Sequence, residues 1–204
     1  KPVRTISLEA IRERLNVIHQ HGIKNVRVLD RTFNYNNKRA KELLHLFREY
    51  APDICFHLEI HPALLSEELK EELAILPNGL LHLEAGIQSL REPVLEKSRR
   101  IGKLSDALQG LKYLCSLKNM ETHADLIAGL PLYHLSEIFE DVRTLAEYGA
   151  GEIQLESLKL LPGTEMRRRA EELGIQYSPL PPYEVLQTKE ISVEELQTAH
   201  YLSR

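Results

Sequence analysis

Five apolar, β-branched-rich runs each bring a polar side chain near their C-terminal end: Asp30, Glu59, Gln88, Asp125 and Glu156. Carboxylates and carboxamides set side by side accept hydrogen bonds from hydroxyls and attract cations, and an amide can also donate. Asp30, Glu59 and Gln88 recur at intervals of 29 residues, the length of one strand plus one helix. Such spacing predicts a parallel β/α array whose rim receives one functional residue per strand.

Periodicity supplies the elements that must carry those residues. Leu8, Ile11, Leu15 and Ile18 recur at helical spacing after Ser7, an N-cap residue type, and the pattern stops at Gly22. Asn25 to Asp30 reads as a strand, followed by a helix through Ala40, Leu43, Leu44 and Phe47. Further strands are predicted near 54–60, 80–86, 122–128 and 152–158, with helices near 65–76, 91–98, 104–118, 134–148 and 164–173. The Leu161–Thr164 and Pro179–Tyr183 segments break the pattern, and a last helix begins at Ser192, where Glu195 completes a capping box. A closed eight-fold barrel takes about 250 residues. A chain of 204 residues is therefore read as one α/β domain, a partial (β/α) barrel or open parallel sheet of about five strands with outer helices.

Alternation along each strand sorts the side chains by face. Phe56, Leu58 and Ile60 oppose His57, Glu59 and His61, and Leu83, Ala85 and Ile87 oppose His82, Glu84, Gly86 and Gln88. Ala124, Leu126 and Ala128 oppose His123, Asp125 and Ile127, while Ile153 and Leu155 oppose Gln154 and Glu156. The apolar face must meet the helices, which leaves a concave face of carboxylates, amides and imidazoles. Water, a ligand or a mutual network has to satisfy so many polar groups.

With 43% apolar and 27% charged residues, the composition is that of ordinary globular protein. No apolar run approaches the ~20 residues of a membrane span, and no apolar segment of signal-peptide type follows Lys1-Pro2-Val3-Arg4. Cytoplasmic location is the default expectation. A net charge of −4 argues against nucleic acid as a partner. The run Arg167-Arg168-Arg169, beside Glu171 and Glu172, reads as a solvated, ion-paired face. Cys55 and Cys115 belong to no paired motif and are expected to be buried, free thiols.

The segment His123-Ala124-Asp125-Leu126-Ile127-Ala128-Gly129-Leu130-Pro131 resembles the fifth-strand motif of radical S-adenosylmethionine (SAM) enzymes of the coproporphyrinogen oxidase and methylthiotransferase-like class. Glu84-Ala85-Gly86-Ile87-Gln88-Ser89 is similar to that family's fourth-strand motif, with Arg100 twelve residues beyond Gln88. Glu59 before Pro62 and Pro162-Gly163-Thr164 also match, in the right order. Leu29-Asp30-Arg31-Thr32-Phe33-Asn34 resembles the branch with a cobalamin-binding domain, as does Pro181–Leu186 more weakly.

The resemblance implies a parent enzyme that cleaves SAM reductively at a [4Fe–4S] cluster to give a 5′-deoxyadenosyl radical. It implies that Gln88 and Asp125 bond the ribose hydroxyls, Arg100 the SAM carboxylate and Glu59 its polar end. Asp30, Ser89 and Gly129 belong to the same implied cofactor site, and Gly86 and Gly129 would let backbone approach the adenosyl group. A small-molecule substrate and an external reductant such as flavodoxin or ferredoxin are implied as partners. The family's C-x-x-x-C-x-x-C is absent. Cluster ligands, and any cobalamin domain, are thus expected upstream, and the isolated chain is expected to be inactive. Residues 1–175 are expected to form strands two to six of the parent core, and 176–204 the start of a C-terminal extension. Asp30-Arg31-Thr32 stands where the family usually has paired glycines, which leaves the contact to the SAM amino group open.

Two other readings compete. His57, His82 and His123 lie on consecutive strands, each two residues before an inward carboxylate, a layout for Zn²⁺ in a barrel hydrolase. Alternatively, a degenerate barrel keeps the scaffold as a non-catalytic interaction module.

Overall fold

A computed structural model describes residues 4–100 and 102–202. Lys1, Pro2 and Val3, which enter the signal-segment reading, and Ser203 and Arg204 at the end of the extension lie outside the described residues. Helix α1 (Leu8–Gln20) opens the described chain under the cap expected of Ser7, whose Oγ accepts from Ala10 N–H at 3.2 Å. There follow β1 (Asn25–Arg27), α2 (Asn37–Arg48), β2 (Cys55–Ile60), α3 (Glu67–Ala74) and β3 (Leu81–Gln88). Next come α4 (Glu92–Lys97), α5 (Leu104–Ser116), β4 (Glu121–Ala128), α6 (Leu135–Glu147) and β5 (Glu152–Ser157).

The five strands form one parallel sheet in sequential order β1-β2-β3-β4-β5, a half-barrel with its helices outside. Every connection is a β–helix–β crossover, the only economical way to join parallel neighbours. Burial alternates as the sequence requires. On the helix side Phe56, Leu58, Leu83, Ala85, Ala124 and Leu126 are fully buried, while the side chains between them line the concave face. β1 is shorter than expected: after Val28, whose N–H bonds His57 O at 3.0 Å, the chain turns away before Asp30.

One close approach locks α5 to the end of β2. Gly110 faces the Pro62–Leu64 turn so tightly that a Cβ there would lie 2.1 Å from Pro62 O. The same turn is held from the other side by Asn34, whose side chain bonds His61 O at 2.9 Å and His61 N–H at 2.8 Å.

The expected helix near 164–173 breaks into α7 (Glu165–Arg168) and α8 (Ala170–Leu173) at Arg169, whose φ of −101° leaves the helical range. Part of the expected ion-paired face is there, since Arg169 pairs with Glu172 at 2.7 Å. Arg167 instead lies over the rings of Tyr177 and Tyr183, 5.0 and 4.8 Å from their centroids. The proline-rich segment contains a pairing that periodicity did not announce, an antiparallel ribbon of β6 (Gln176–Tyr177) and β7 (Val185–Gln187). Helix α9 (Val193–Leu202) carries the expected capping box: Ser192 N–H bonds Glu195 Oε2 at 2.8 Å and Glu195 N–H bonds Ser192 Oγ at 3.2 Å. Residues beyond 175 fold back on the half-barrel through Val185 and Leu196, which meet Leu158 and Gly129.

Candidate functional site

Parallel register places the polar residues of the concave face in rows. Arg27, His57 and His82 stand level, then Glu59, Glu84 and His123, then Gly86, Asp125 and Gln154. The upper rows open into a cleft at the C-terminal ends of the strands, where parallel sheets place their ligands. Glu59, Gln88, Arg100 and Asp125 all line it, together with Glu84, Gly86, Gln154 and Glu156. Four of the seven expected site residues are therefore brought together.

The other three sit elsewhere. Asp30 is exposed beyond β1, and the next two residues, Arg31 and Thr32, reach the cleft instead. Ser89 is fully buried behind the rim, where its Oγ lies 3.4 Å from Asp141 Oδ2. Gly129 has φ +87°, and a Cβ there would meet Val185 at 3.3 Å and Leu158 and Leu196 at 3.6 Å, so it packs against the C-terminal segment. Glu84 joins the cleft beyond the seven expected residues, and alternation in 81–88 is the signal that sets it on the face of Gly86 and Gln88.

The choice between Arg99 and Arg100 is made by the backbone. Arg99, at φ +55°, turns outward and its Nη1 donates to Glu165 at 2.7 Å. Arg100 turns inward, and its Nη2 donates to Gly86 O at 2.6 Å. Burial lowers the pKa of that guanidinium while the Asp125 charge opposes the shift; a guanidinium stays protonated all the same. Gly86 forms the floor: a Cβ on it would lie 3.4 Å from Arg100 Nη2 and 3.8 Å from Gln88 Nε2. Gln88 itself has φ +74°, at a point where the β3–β4 ladder skips a residue. A bulge of this kind re-aims a side chain at a functional rim.

Beneath the cleft the carboxylates and imidazoles pair. Glu84 Oε2 accepts from Arg27 Nη2 at 2.5 Å and lies 2.7 Å from His57 Nε2. Burial alone would raise the Glu84 pKa, but the His57 hydrogen bond and the Arg27 charge outweigh it and hold this carboxyl below its usual range. Asp125 goes the other way, pushed up by burial and by the Glu84 charge. His123 is raised because the close contact with Asp125 and its charge overcome burial, and His82 is lowered by burial and by its two histidine neighbours. Asp125 Oδ1 and His123 Nε2 are buried 3.4 Å apart, each without a hydrogen bond of good geometry.

The three-histidine metal site does not form. His57 and His82 share a row, but His123 stands level with Glu84, one row nearer the cleft. The His57 and His82 rings stack with centroids 4.7 Å apart, the His123 ring stands tilted or edge-on to both, and His82 Nε2 engages His123 Nδ1 at 2.8 Å. Among the described residues the triads close enough to share an ion are His57–Glu84–His123 and His82–His123–Glu152, neither of which joins all three histidines. Cys55 and Cys115 are half-buried free thiols, less enclosed than expected, and burial raises the pKa of both. Neither lines the cleft, so this chain offers no thiolate to a cluster there.

A parallel half-barrel with a polar cleft across its strand ends defines an α/β partial-barrel protein. The sequence model of the Radical SAM superfamily matches residues 1–150, and the chain belongs to that superfamily. Among solved structures it is similar to the radical S-adenosylmethionine methyltransferase TsrM from Kitasatospora setae, determined with tryptophan substrate and the SAM analogue aza-SAM. That match has a TM-score of 0.70 and 18% identity over 89% of this chain and 37% of TsrM. SuiB from Streptococcus suis bound to SAM aligns with a TM-score of 0.63 and 13% identity, covering 85% of this chain and 41% of SuiB. Coproporphyrinogen III oxidase (HemN) from Escherichia coli, described as a radical SAM enzyme, aligns with a TM-score of 0.56 and 15% identity, covering 84% and 48%. At such identities the likeness establishes the fold. The chain spans 37% to 48% of the length of these three proteins. No curated protein sequence matches it.

Proposed function

We propose that this chain forms the SAM-binding wall, and part of the substrate surface, of a larger radical SAM enzyme. The carrying observation is the convergence of Glu59, Gln88, Arg100 and Asp125 on one cleft, where the buried Asp125 Oδ1 has His123 Nε2 3.4 Å away and no hydrogen bond of good geometry. These groups fit the cofactor's chemistry. A cis-diol donates to the Asp125 carboxylate and exchanges hydrogen bonds with the Gln88 amide, and the Arg100 guanidinium, anchored through one nitrogen on Gly86 O, has further N–H groups for a carboxylate. Glu59, 32% exposed at its side chain, faces the polar end, where a carboxylate suits an ammonium or sulfonium charge.

When bound at a [4Fe–4S] cluster, SAM supplies one-electron reductive cleavage chemistry. The chain has two cysteines and no C-x-x-x-C-x-x-C, so the cluster ligands come from outside it. This chain's part is to bind and orient: Arg100 and Glu59 fix the amino-acid end while Gln88 and Asp125 fix the ribose. Arg31 and Thr32, from the Asp30-Arg31-Thr32 segment that replaces the usual paired glycines, reach the same cleft as candidates for the amino-acid end. Gln154 and Glu156 on β5 extend the wall away from Glu59, where a small polar substrate would lie. The reading includes an external reductant such as flavodoxin or ferredoxin, a cytoplasmic setting, no nucleic-acid or membrane partner, and, from the Leu29–Asn34 resemblance, cobalamin in another domain. Among the described residues no helix is long and apolar enough to cross a membrane.

Calorimetric titration of SAM into the complete, cluster-reconstituted protein tests the assignment. Hydrogen bonds to charged groups contribute about 1.5–3 kcal/mol each, so Arg100→Ala and Asp125→Ala should each weaken binding by about 10- to 100-fold. Unchanged affinity in both variants refutes the roles. If the variants keep SAM but the protein never cleaves it, the non-catalytic module is the better description.

A further inference from the structure

The three residues that follow Gln88 are gathered by a carboxylate outside the cleft. Asp141, on α6, is 1% exposed, yet its carboxylate meets four donors. Oδ2 accepts from Leu90 N–H at 2.7 Å and from Tyr133 O–H at 2.6 Å, with Ser89 Oγ at 3.4 Å, and Oδ1 accepts from Arg91 Nε at 2.9 Å. Ser89 Oγ also accepts from Arg91 N–H at 3.1 Å, which closes the turn on itself. Three of these donor residues are the three that directly follow Gln88.

Gln88 needs such a restraint. A glutamine at φ +74° is in the left-handed region that L side chains avoid, and it persists only where its surroundings over-determine it. On its N-terminal side the β3–β4 ladder shifts register between Gly86 and Gln88, and Gln88, opposite Leu126, is the last residue it pairs. On its C-terminal side the first fixed points are Ser89, Leu90 and Arg91, all held by Asp141. Relaxation to φ < 0 would swing the amide off the Gly86 floor, where Nε2 now lies 3.8 Å from the place a Gly86 Cβ would take.

We propose that Asp141 is a positioning residue of the cofactor cleft: by gathering Ser89, Leu90 and Arg91 it holds Gln88 in the left-handed bulge with its amide over Gly86. Ser89 then acts through this clamp and not by touching a ligand. The consequence for SAM rests on the reading of the cleft given above, whereas the placement of Gln88 is a property of the chain alone.

Two readouts separate those claims. In this chain, free of ligand, NMR should show a nuclear Overhauser contact between the Gly86 α-protons and the Gln88 side-chain amide, lost in Asp141→Asn. In the complete reconstituted protein, Asp141→Asn should weaken SAM by about the same factor as Gln88→Ala, roughly tenfold, and the double variant should lose no more than Gln88→Ala alone. Tyr133→Phe removes one donor and leaves the other three, so it should lower the melting temperature yet keep both the contact and the affinity. If Asp141→Asn melts earlier but keeps the contact, or if the double variant is additive, Asp141 is only a packing residue and the proposal is overturned. If Asp141→Asn does not fold, Ser89→Ala, which changes no charge, carries the test: a weakened contact supports the clamp and an unchanged one overturns it. Failure of the wild type to bind SAM defeats the function proposed for the cleft, and the contact measurement still decides the clamp.

Discussion

Replacing Gly110 by alanine tests whether the wall of the cleft is set by helix–turn packing. The added Cβ would lie 2.1 Å from Pro62 O, 2.8 Å from Pro62 C and 3.2 Å from Pro62 Cα, all backbone atoms. Carbon–oxygen contacts settle near ~3.3 Å, so α5 and the Pro62–Leu64 turn must separate by about 1 Å. No flexible side chain can yield in their place. Over-packing of this kind costs about 1–3 kcal/mol, and a backbone neighbour puts it toward the upper end. Against that, alanine gains about 1 kcal/mol over glycine within a helix. The net loss of about 1–2 kcal/mol corresponds to a fall in melting temperature of roughly 2–8 °C for a chain of this size. Thermal melts by circular dichroism give the answer, with the exposed neighbour Gln109→Ala as a control expected to shift little. The displaced turn follows Glu59 and His61, so SAM affinity in the complete protein should fall as well. A Gly110→Ala melting temperature equal to or above that of the wild type would show that the turn gives way freely, and the packing argument would be wrong.

Asp125→Asn should trade function for stability. Its carboxyl binds a proton more tightly folded than unfolded, because burial and Glu84 oppose its charge. The ionised group therefore destabilises the fold above the ordinary aspartate pKa of about 3.9, and the penalty disappears as pH falls below that value. The variant should melt higher than wild type at pH 7 and at the same temperature near pH 3, while SAM binding weakens; a lower melting temperature at pH 7 contradicts the sign. Arg99→Ala should leave SAM affinity within about twofold, since it loses only an exposed pair of the kind worth at most ~1 kcal/mol; an effect as large as that of Arg100→Ala would mean the two side chains exchange places. Gly129→Ala forces φ +87° on a β-carbon that meets Val185, Leu158 and Leu196. It should cost about 1–3 kcal/mol and speed hydrogen exchange in β7 and α9, and unchanged exchange there would mean that the C-terminal segment does not rest on this glycine.

Much of the fold was legible because strand alternation is local. The faces of β2, β3 and β4 follow from residue order alone, and His57, Glu84 and Asp125 point inward as the pattern requires. Caps were legible for the same reason: Ser7, Ser192 and Glu195 act within one helical turn. The β6–β7 ribbon escaped because its strands are two and three residues long, too short to show a period. The level of His123 escaped because the stagger between parallel strands is set by the crossovers and not by either strand's own pattern.

Residue order is enough for a parallel β/α array with a polar concave face and a rim carrying Glu59, Gln88 and Asp125, since period-two alternation and β/α spacing are properties of neighbouring residues. Which rim residues share the cleft was settled in three dimensions. The folded chain sent Arg100 in and Arg99 out by a single positive φ, passed the place of Asp30 to Arg31 and Thr32, and turned Ser89 back onto Asp141. Those outcomes depend on backbone handedness and on contacts between segments some fifty residues apart, and neither is written in the order of neighbours.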